Sequence, residues 1–286
     1  MKLGTFRHAG QLLPGRIEGE EIVNLVDAGL PEDLKSILDL GHETMSAVAR
    51  ANGSRLPLSE VTLEAPIQRP GKFFGIGLNY DDHIKETGLE KPTFPVFFNK
   101  QSTCVSGPFG KIHRPRVSNH LDYEGELGVV IGRRCRHVPR DRAGDVIAGF
   151  CVVNDVSVRD WQMKSKTFVV GKGFDTHGPH GPWITTSDEA GDPHNLDLKT
   201  WVNGELRQNS NTSNLTYDCY ELIETITKVC TMEPGDIIST GTPSGVALGF
   251  DPPKWLVPGD RVKIEIQNLG FIENTVIDEP LDTDRV

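Results

Sequence analysis

The sequence predicts a β-rich α+β protein with a small N-terminal β/α domain. Thirty glycines and nineteen prolines fit many short strands joined by tight turns. Because the strands do not alternate regularly with helices, neither a doubly wound parallel sheet nor an α/β barrel is expected. Seven short runs rich in apolar residues have strand character, and they lie at 96–99, 127–131, 149–154, 183–185, 198–202, 237–240 and 261–266.

The first 70 residues are predicted to form the small unit. Residues 15–25 resemble a β-hairpin, and residues 34–51 carry apolar side chains at helical spacing. A connector dotted with proline follows, at Pro57, Pro66 and Pro70. We therefore place a boundary near residue 70, with an N-terminal domain at 1–70 and a catalytic domain at 71–286.

Three further elements are predicted in the second domain. Residues 216–230 have helical periodicity, and residues 81–88 read as a short polar helix or loop that ends at glycine. Asn203-Gly204 is typical of a type I′ turn in a β-hairpin.

Composition limits the class of partner. The net charge is −10 and the pI is about 5.4, which argues against nucleic acid or an anionic membrane as the main partner. A small anion is still compatible, because a local cation can dominate its own pocket. No apolar segment approaches membrane-spanning length or resembles a signal sequence, and the five cysteines include no Cys-x-x-Cys pair. A cytoplasmic protein is the expectation.

Three carboxylates beside apolar runs are the most informative feature. Glu124 and Glu126 precede the run at 129–131, and alternation in a strand would point both side chains the same way. Asp155 follows the apolar run at 146–153 and would add a third carboxylate from a neighbouring strand. Oxygen ligands without a nearby thiolate suit a hard cation such as Mg²⁺ or Mn²⁺. A Glu-x-Glu pattern is also typical of a solvated sheet face, so the spacing alone leaves both interpretations open.

Other residues with chemical potential come in short segments. His83 and Glu86 share a face if 81–88 is helical, so Glu86 would orient the imidazole; an incidental surface pair is the alternative. Lys172 lies between two glycines in a predicted loop and suits an anionic oxygen, although an exposed loop lysine is equally compatible. Arg159 and Gln162 follow Asp155 closely and would touch a substrate oxygen or form a structural pair.

The glycine-rich segment 241–245 follows an apolar strand. It would offer a backbone N–H and a hydroxyl to a carboxylate, or it would be a plain turn. The sequence contains no nucleophile elbow, no Walker loop and no zinc-type cluster of histidine and cysteine. A cupin-like oxygenase would need histidines around the carboxylates, and they do not cluster there.

Six segments together resemble the fumarylacetoacetate hydrolase family over about residues 70–280. They are Gly-x-Gly-x-Asn-Tyr-x-x-His at 75–83, Glu-x-Glu-Leu at 124–127, Asp-Val-x-x-Arg-Asp-x-Gln at 155–162, Lys-Gly-Phe-Asp at 172–175, Val-Asn-Gly-Glu-x-x-Gln at 202–208 and Gly-Asp-Ile-Ile-x-Thr-Gly-Thr-Pro-x-Gly-Val at 235–246. The short N-terminal unit looks like that of the smaller bacterial, acylpyruvase-like members.

The resemblance implies a mixed β-roll of several sheets, usually in a homodimer, around one Mg²⁺ or Mn²⁺, with Ca²⁺ as a further option. Each site residue is carried over by its position in a motif. The resemblance assigns Glu124, Glu126 and Asp155 as metal ligands, His83, Glu86 and Lys172 as catalytic residues, and Arg159, Gln162, Thr212 and Thr242 as substrate-contacting residues.

The implied activity is hydrolysis of a C–C bond in a diketo acid or acylpyruvate-type 2-oxo acid, giving pyruvate or a related acid. In that chemistry His83 would deprotonate water and Lys172 would stabilise an oxyanion. Three alternatives within the family stay open: an oxaloacetate-type decarboxylase, an isomerase and a sugar-acid dehydratase. A β-rich binding protein without activity is the alternative outside enzymology. The expected partner is a small 2-oxo acid.

Overall fold

A computed structural model describes residues 1–281, apart from the side chains of His42 and Glu43. Its strands are β1 Lys2–His8, β2 Gln11–Glu18, β3 Glu21–Asn24, β4 Arg55–Pro57, β5 Thr62–Glu64, β6 Phe73–Gly77, β7 Val96–Lys100, β8 Val105–Ser106, β9 Lys111–Arg114, β10 Leu121–Asp122, β11 Gly125–Ile131, β12 Ile147–Asn154, β13 Ser157–Val158, β14 Gly178–Thr185, β15 Asp197–Val202, β16 Glu205–Asn211, β17 Ile237–Ser239, β18 Arg261–Ile266 and β19 Gly270–Asp278. Its α-helices are α1 Leu34–Asp39, α2 His42–Arg50, α3 Asp81–Thr87, α4 Arg159–Gln162, α5 Val169–Lys172, α6 Ser187–Ala190 and α7 Cys219–Val229.

One large mixed sheet organises the molecule. Its strand order is β4-β3-β2-β1-β14-β12-β11-β17-β6-β7, with β5 paired to β1 and β8 paired to β14. A second sheet has the order β16-β15-β18-β19-β9, and β10 pairs with β13. The main hydrophobic core includes buried residues from both larger sheets and from α7, such as Val129, Ile264 and Leu222. The predicted β-rich α+β class is therefore confirmed.

The N-terminal strands continue the large sheet. Strand β1 pairs antiparallel with β14, with Lys2 opposite Thr185 and Leu3 opposite Ile184. The predicted hairpin corresponds to β2 and β3. The domain boundary near residue 70 stays a prediction, because the two parts share this sheet.

The helix predicted over 34–51 is two helices. Gly41 lies between α1 and α2 with φ of 87°, a left-handed conformation that glycine adopts without steric penalty. The prediction of one helix was therefore wrong. The apolar periodicity continues across the break, so the sequence pattern did not indicate it. The type I′ turn is confirmed, since Asn203 and Gly204 have φ of 52° and 83° between β15 and β16.

Candidate active site

Three carboxylates meet where β11 begins and β12 ends. Glu124 immediately precedes β11, Glu126 is its second residue, and Asp155 follows β12. The antiparallel register places Gly125 opposite Asn154, and the backbone N–H of Asp155 donates to the carbonyl of Glu124 at 2.9 Å. One oxygen from each carboxylate lies within 4.8 Å of the others. All three residues are at most 4% exposed, so the solvated-face interpretation is excluded.

Buried cations neutralise part of this acidic cluster. Lys172 Nζ donates to Glu124 Oε2 at 2.5 Å and to Asp155 Oδ2 at 2.8 Å. Arg159 Nη2 lies 2.7 Å from Glu124 Oε1, and its Nε donates to Asp122 Oδ2 at 2.7 Å. Lys172 was predicted in a loop, but it is the last residue of α5 and is buried. The four-residue helix is too short to show periodicity in the sequence.

The pKa values of Glu124 and Glu126 are shifted in opposite directions. Burial opposes ionisation of Glu124, but the neighbouring charges of Lys172 and Arg159 outweigh it and lower its pKa to about 2. Burial, together with repulsion from Asp155 and Glu124, raises the pKa of Glu126 well above its ordinary value. Burial disfavours the Lys172 ammonium, yet Asp155 and Glu124 raise its pKa. The raised pKa of Glu126 shows that the nearby cations do not fully offset the repulsion among the three carboxylates.

A divalent cation fits this donor set. Three buried carboxylates converge without a thiolate or imidazole among them, which matches the oxygen ligands preferred by Mg²⁺, Mn²⁺ and Ca²⁺. The repulsion that raises the pKa of Glu126 is the repulsion that a cation would remove.

The glycine-rich segment after β17 secures two of the acidic side chains. Gly241 N–H donates to Glu126 Oε2 at 2.9 Å, and Ser239 Oγ donates to the same oxygen at 2.6 Å. Gly245 N–H donates to Glu86 Oε1 at 2.8 Å. These N–H groups bind carboxylates, as expected for such a segment, but the carboxylates belong to the protein.

Helix α3 carries an imidazole–carboxylate pair. His83 Nδ1 lies 2.9 Å from Glu86 Oε2, and His83 is buried. Glu86 is itself fixed by the bond from Gly245, and Gly249 packs so closely that a Cβ there would lie 2.2 Å from Glu86 Oε1. The helix ends at Gly88, whose φ of 68° is left-handed. The i,i+3 pair is therefore held by tertiary contacts and is not incidental.

A cavity of about 410 Å³ joins these groups. Its lining includes most of the predicted site residues, namely His83, Glu86, Glu124, Glu126, Arg159, Gln162, Lys172 and Thr242. Another cavity, of about 390 Å³, lies elsewhere against Met1, Met45 and Arg133 and contains none of the convergent carboxylates. The first cavity is the candidate active site because its acidic centre and its imidazole face one space.

Known proteins with similar sequences and structures give the family. The sequence profile of the fumarylacetoacetate hydrolase C-terminal region matches residues 72–277. The mitochondrial oxaloacetate tautomerase FAHD2B of Bos taurus is 43% identical over 260 residues, covering 89% of this chain and 83% of that protein. The chain belongs to the fumarylacetoacetate hydrolase family.

Solved structures agree with this assignment. A fumarylacetoacetate hydrolase from Exiguobacterium antarcticum is 34% identical, with a TM-score of 0.88 over 98% of this chain and all (100%) of that one. Maleylpyruvate hydrolase from Sphingobium sp. SYK-6 is 34% identical, with a TM-score of 0.82 over the same shares of 98% and 100%. These family members confirm the predicted resemblance and show that the chain is a member of an enzyme family.

Family membership supports metal-dependent catalysis on a small molecule. Enzymes of the fumarylacetoacetate hydrolase family generally depend on a divalent metal, and the carboxylate cluster here is consistent with that dependence. Relatives bear the names of hydrolases, tautomerases and isomerases, so membership does not select one reaction. None of the helices described in this member of the family is long and apolar enough to cross a membrane.

The predicted substrate-contacting residues divide into two groups. Arg159, Gln162 and Thr242 line the cavity, whereas Thr212 is not part of its lining. The buried Thr212 hydroxyl accepts a bond from Leu196 N–H at 2.8 Å, a local structural contact. The role of Thr212 as a substrate-contacting residue stays a prediction. Arg159 Nη1 donates to Gln162 Oε1 at 2.9 Å, so these two residues are linked.

Sequence reasoning missed two buried charges that support the site. Lys100 Nζ donates to Asp155 Oδ1 and to the carbonyl of Lys172, both at 2.6 Å. Asp122 accepts from Arg159 and from the backbone N–H of Ala247 at 2.7 Å. Lys100 lies two residues after Phe98 in β7, so strand alternation places both side chains on the same face of the sheet. Phe98 lines the cavity, and a lysine on the face of an apolar strand residue was the available signal. No comparable signal singled out Asp122.

Proposed function

We propose that this protein is a divalent-metal-dependent hydrolase that cleaves a C–C bond in an acylpyruvate-type 2-oxo acid and releases pyruvate or a related acid. The observation that carries the proposal is the His83–Glu86 pair lining the same cavity as Glu124, Glu126 and Lys172. Hydrolysis needs a base for water as well as a centre that accepts negative charge, and this cavity offers both.

Glu124, Glu126 and Asp155 would hold the ion. When bound, a divalent ion supplies Lewis-acid chemistry, since it polarises carbonyl oxygens and accepts developing negative charge. Lys100 and Lys172 hold the two oxygens of Asp155, at 2.6 and 2.8 Å, so that its side chain is fixed in place.

His83 is suited to act as the general base. An ionised carboxylate only accepts hydrogen bonds, so Glu86 places the proton of a neutral His83 ring on Nδ1 and leaves Nε2 as the acceptor. Nε2 would take a proton from water as the water oxygen bonds to the distal carbonyl carbon. The electron pair of the broken C–C bond then passes to the pyruvate fragment as an enolate, which is protonated to pyruvate.

Lys172 is suited to stabilise an anionic substrate oxygen. Its ammonium has three N–H donors, and two of them bond to Glu124 and Asp155. The third is left for an oxygen that gains charge during cleavage. The same contacts make Lys172 a positioning residue for both carboxylates.

Keto–enol tautomerisation of oxaloacetate is the second candidate. The 43% identity to a protein named oxaloacetate tautomerase favours it. The His83–Glu86 pair would serve this reaction also, by moving a proton between carbon and oxygen without water attack.

The test assays a panel of 2-oxo acids with enzyme that has been treated with chelator, before and after addition of Mg²⁺ or Mn²⁺. Pyruvate release and oxaloacetate tautomerisation are measured separately. We expect metal-dependent pyruvate release from acylpyruvates. His83→Ala should lower kcat for that cleavage by about 10²- to 10⁴-fold, the usual contribution of a general base. The control is His8→Ala, at the end of β1 and outside the cavity lining. Metal-dependent tautomerisation without any cleavage would select the second candidate.

A further inference from the structure

The wall of the active-site cavity is apolar beyond its carboxylate centre. The side chains of Leu78, Leu89, Phe98, Met163, Phe168 and Leu248 form much of it. Three of these are unusually exposed for large apolar groups: Leu89 is 57%, Met163 77% and Leu248 43% exposed. Exposed apolar groups that gather at one cavity mark a surface that binds an apolar partner.

The two cations of the cavity lining, Arg159 and Lys172, pair with the protein's own acids at the carboxylate centre, and the remaining N–H of Lys172 faces the reacting oxygen in the proposed hydrolysis. Lys172 donates hydrogen bonds to Glu124 and Asp155. Arg159 donates to Asp122 and Gln162 and forms an ion pair with Glu124. The remaining titratable groups of the lining, apart from the carboxylates at its centre, are His83 and Glu86, which bond to each other.

The lysine that follows Met163 is outside the cavity lining. Lys164 Nζ lies over the Trp161 ring, 3.7 Å from its centroid. Apart from Arg159 and Lys172 at the carboxylate centre, the cavity lining described among residues 1–281 contains no arginine or lysine. A second carboxylate of a substrate would therefore find no cation along the apolar wall.

We infer that the substrate carries a single carboxylate, bound at the acidic centre with its cation, and an uncharged apolar acyl chain that lies against Leu89, Met163 and Leu248. This inference rests on the proposed hydrolysis and specifies its substrate class. Burying an unpaired carboxylate against an apolar wall is strongly unfavourable, whereas each methylene gains from leaving water. The reaction converts R–CO–CH₂–CO–COO⁻ and water into R–COO⁻, pyruvate and a proton, with R apolar.

The experiment compares matched substrates on the Mg²⁺- or Mn²⁺-loaded enzyme. In the series from 2,4-dioxopentanoate to 2,4-dioxooctanoate, kcat/KM should rise about threefold for each added methylene. The diacid 2,4-dioxoheptanedioate differs from 2,4-dioxoheptanoate by a carboxylate in place of the terminal methyl group. Its kcat/KM should be at least about tenfold lower, because the wall offers no charge partner.

A variant pair tests the assigned wall. Met163→Lys adds a cation at the mouth and should raise kcat/KM for the diacid about fivefold or more, mainly through a lower KM. Met163→Gln, which is polar and uncharged, should lower the preference for long chains without favouring the diacid. Equal gains for both variants would assign the effect to polarity and would overturn the role of charge.

The outcomes separate the two claims. Pyruvate release that is unaffected by chain length, or that is faster from the diacid than from its methyl counterpart, would overturn the inference and leave the proposed hydrolysis standing. Absence of metal-dependent pyruvate release from every substrate would refute the proposed function, and the inference would fall with it.

Discussion

Replacing Glu126 by glutamine should stabilise the metal-free protein at neutral pH. Burial and repulsion from Asp155 and Glu124 raise the pKa of Glu126. The ligand oxygens of the three residues lie within 4.8 Å of one another, and at an effective dielectric constant of about 20 each like-charged pair is unfavourable by about 3 kcal/mol. Lys172 offsets part of this repulsion.

The free energy needed to protonate Glu126 sets an upper limit on how much this glutamate destabilises the folded protein. Folded metal-free protein can protonate Glu126 instead of keeping it ionised. Protonating a glutamate whose ordinary pKa is 4.5 at about pH 7 requires about 3 kcal/mol. We therefore expect Glu126→Gln to gain about 1 to 3 kcal/mol, or roughly 2 to 6 °C in Tm. The glutamine carbonyl would still accept from Ser239 Oγ and Gly241 N–H.

The pH dependence has a defined sign. A carboxyl group with a raised pKa in the folded state destabilises that state progressively as pH rises from its ordinary value of 4.5 toward the raised one. The advantage of Glu126→Gln should thus be largest near neutrality and should disappear below about pH 4.5.

The assay is thermal or urea unfolding with chelator across this pH range, with Glu20→Gln, in an exposed turn, as the control. Addition of Mg²⁺ should stabilise the wild type by RT ln(1 + [L]/Kd), about 2.7 kcal/mol at 100 times Kd, and the variant by less. A Glu126→Gln variant no more stable than wild type near pH 7 in chelator would refute the electrostatic reasoning.

Two further predictions concern the metal-binding carboxylates and the Glu86 side chain of helix α3. Glu124→Ala and Asp155→Ala should each abolish metal-dependent turnover while keeping the far-ultraviolet circular dichroism of the wild type; full activity of either variant after chelation would contradict the ligand assignment. Gly249→Ala should displace Glu86, because the new Cβ would lie 2.2 Å from Glu86 Oε1, and kcat should fall about tenfold or more as the base loses its orientation. Gly144→Ala, whose nearest contact would be 3.8 Å away, is the control and should keep its kcat.

The strands that carry the carboxylates could be predicted from sequence because they are long, apolar and buried. The predicted runs 127–131 and 149–154 lie inside the observed β11 and β12. Alternation along the chain correctly suggested that Glu124 and Glu126 face one centre, even though Glu124 precedes the strand. These features depend on local pattern, which a single sequence contains.

Features that depend on long-range pairing could not be predicted. Strand β17 pairs with β11 across more than one hundred residues of chain, with Ser239 opposite Gly128. That pairing is what brings Ser239 and Gly241 to Glu126. The contact of Lys100 with Asp155 likewise depends on how β7 and α5 pack. The extension of the large sheet by β1 also escaped prediction, because its short sequence alone does not specify β14 as its partner.

The most direct test of the three-carboxylate metal site is the anomalous scattering of Mn²⁺ in crystals of the chelated and reloaded protein. We expect one manganese peak per chain, bonded to an oxygen of each of Glu124, Glu126 and Asp155. Crystals soaked to saturation that show no peak between these side chains, or a peak held by other residues, would contradict it.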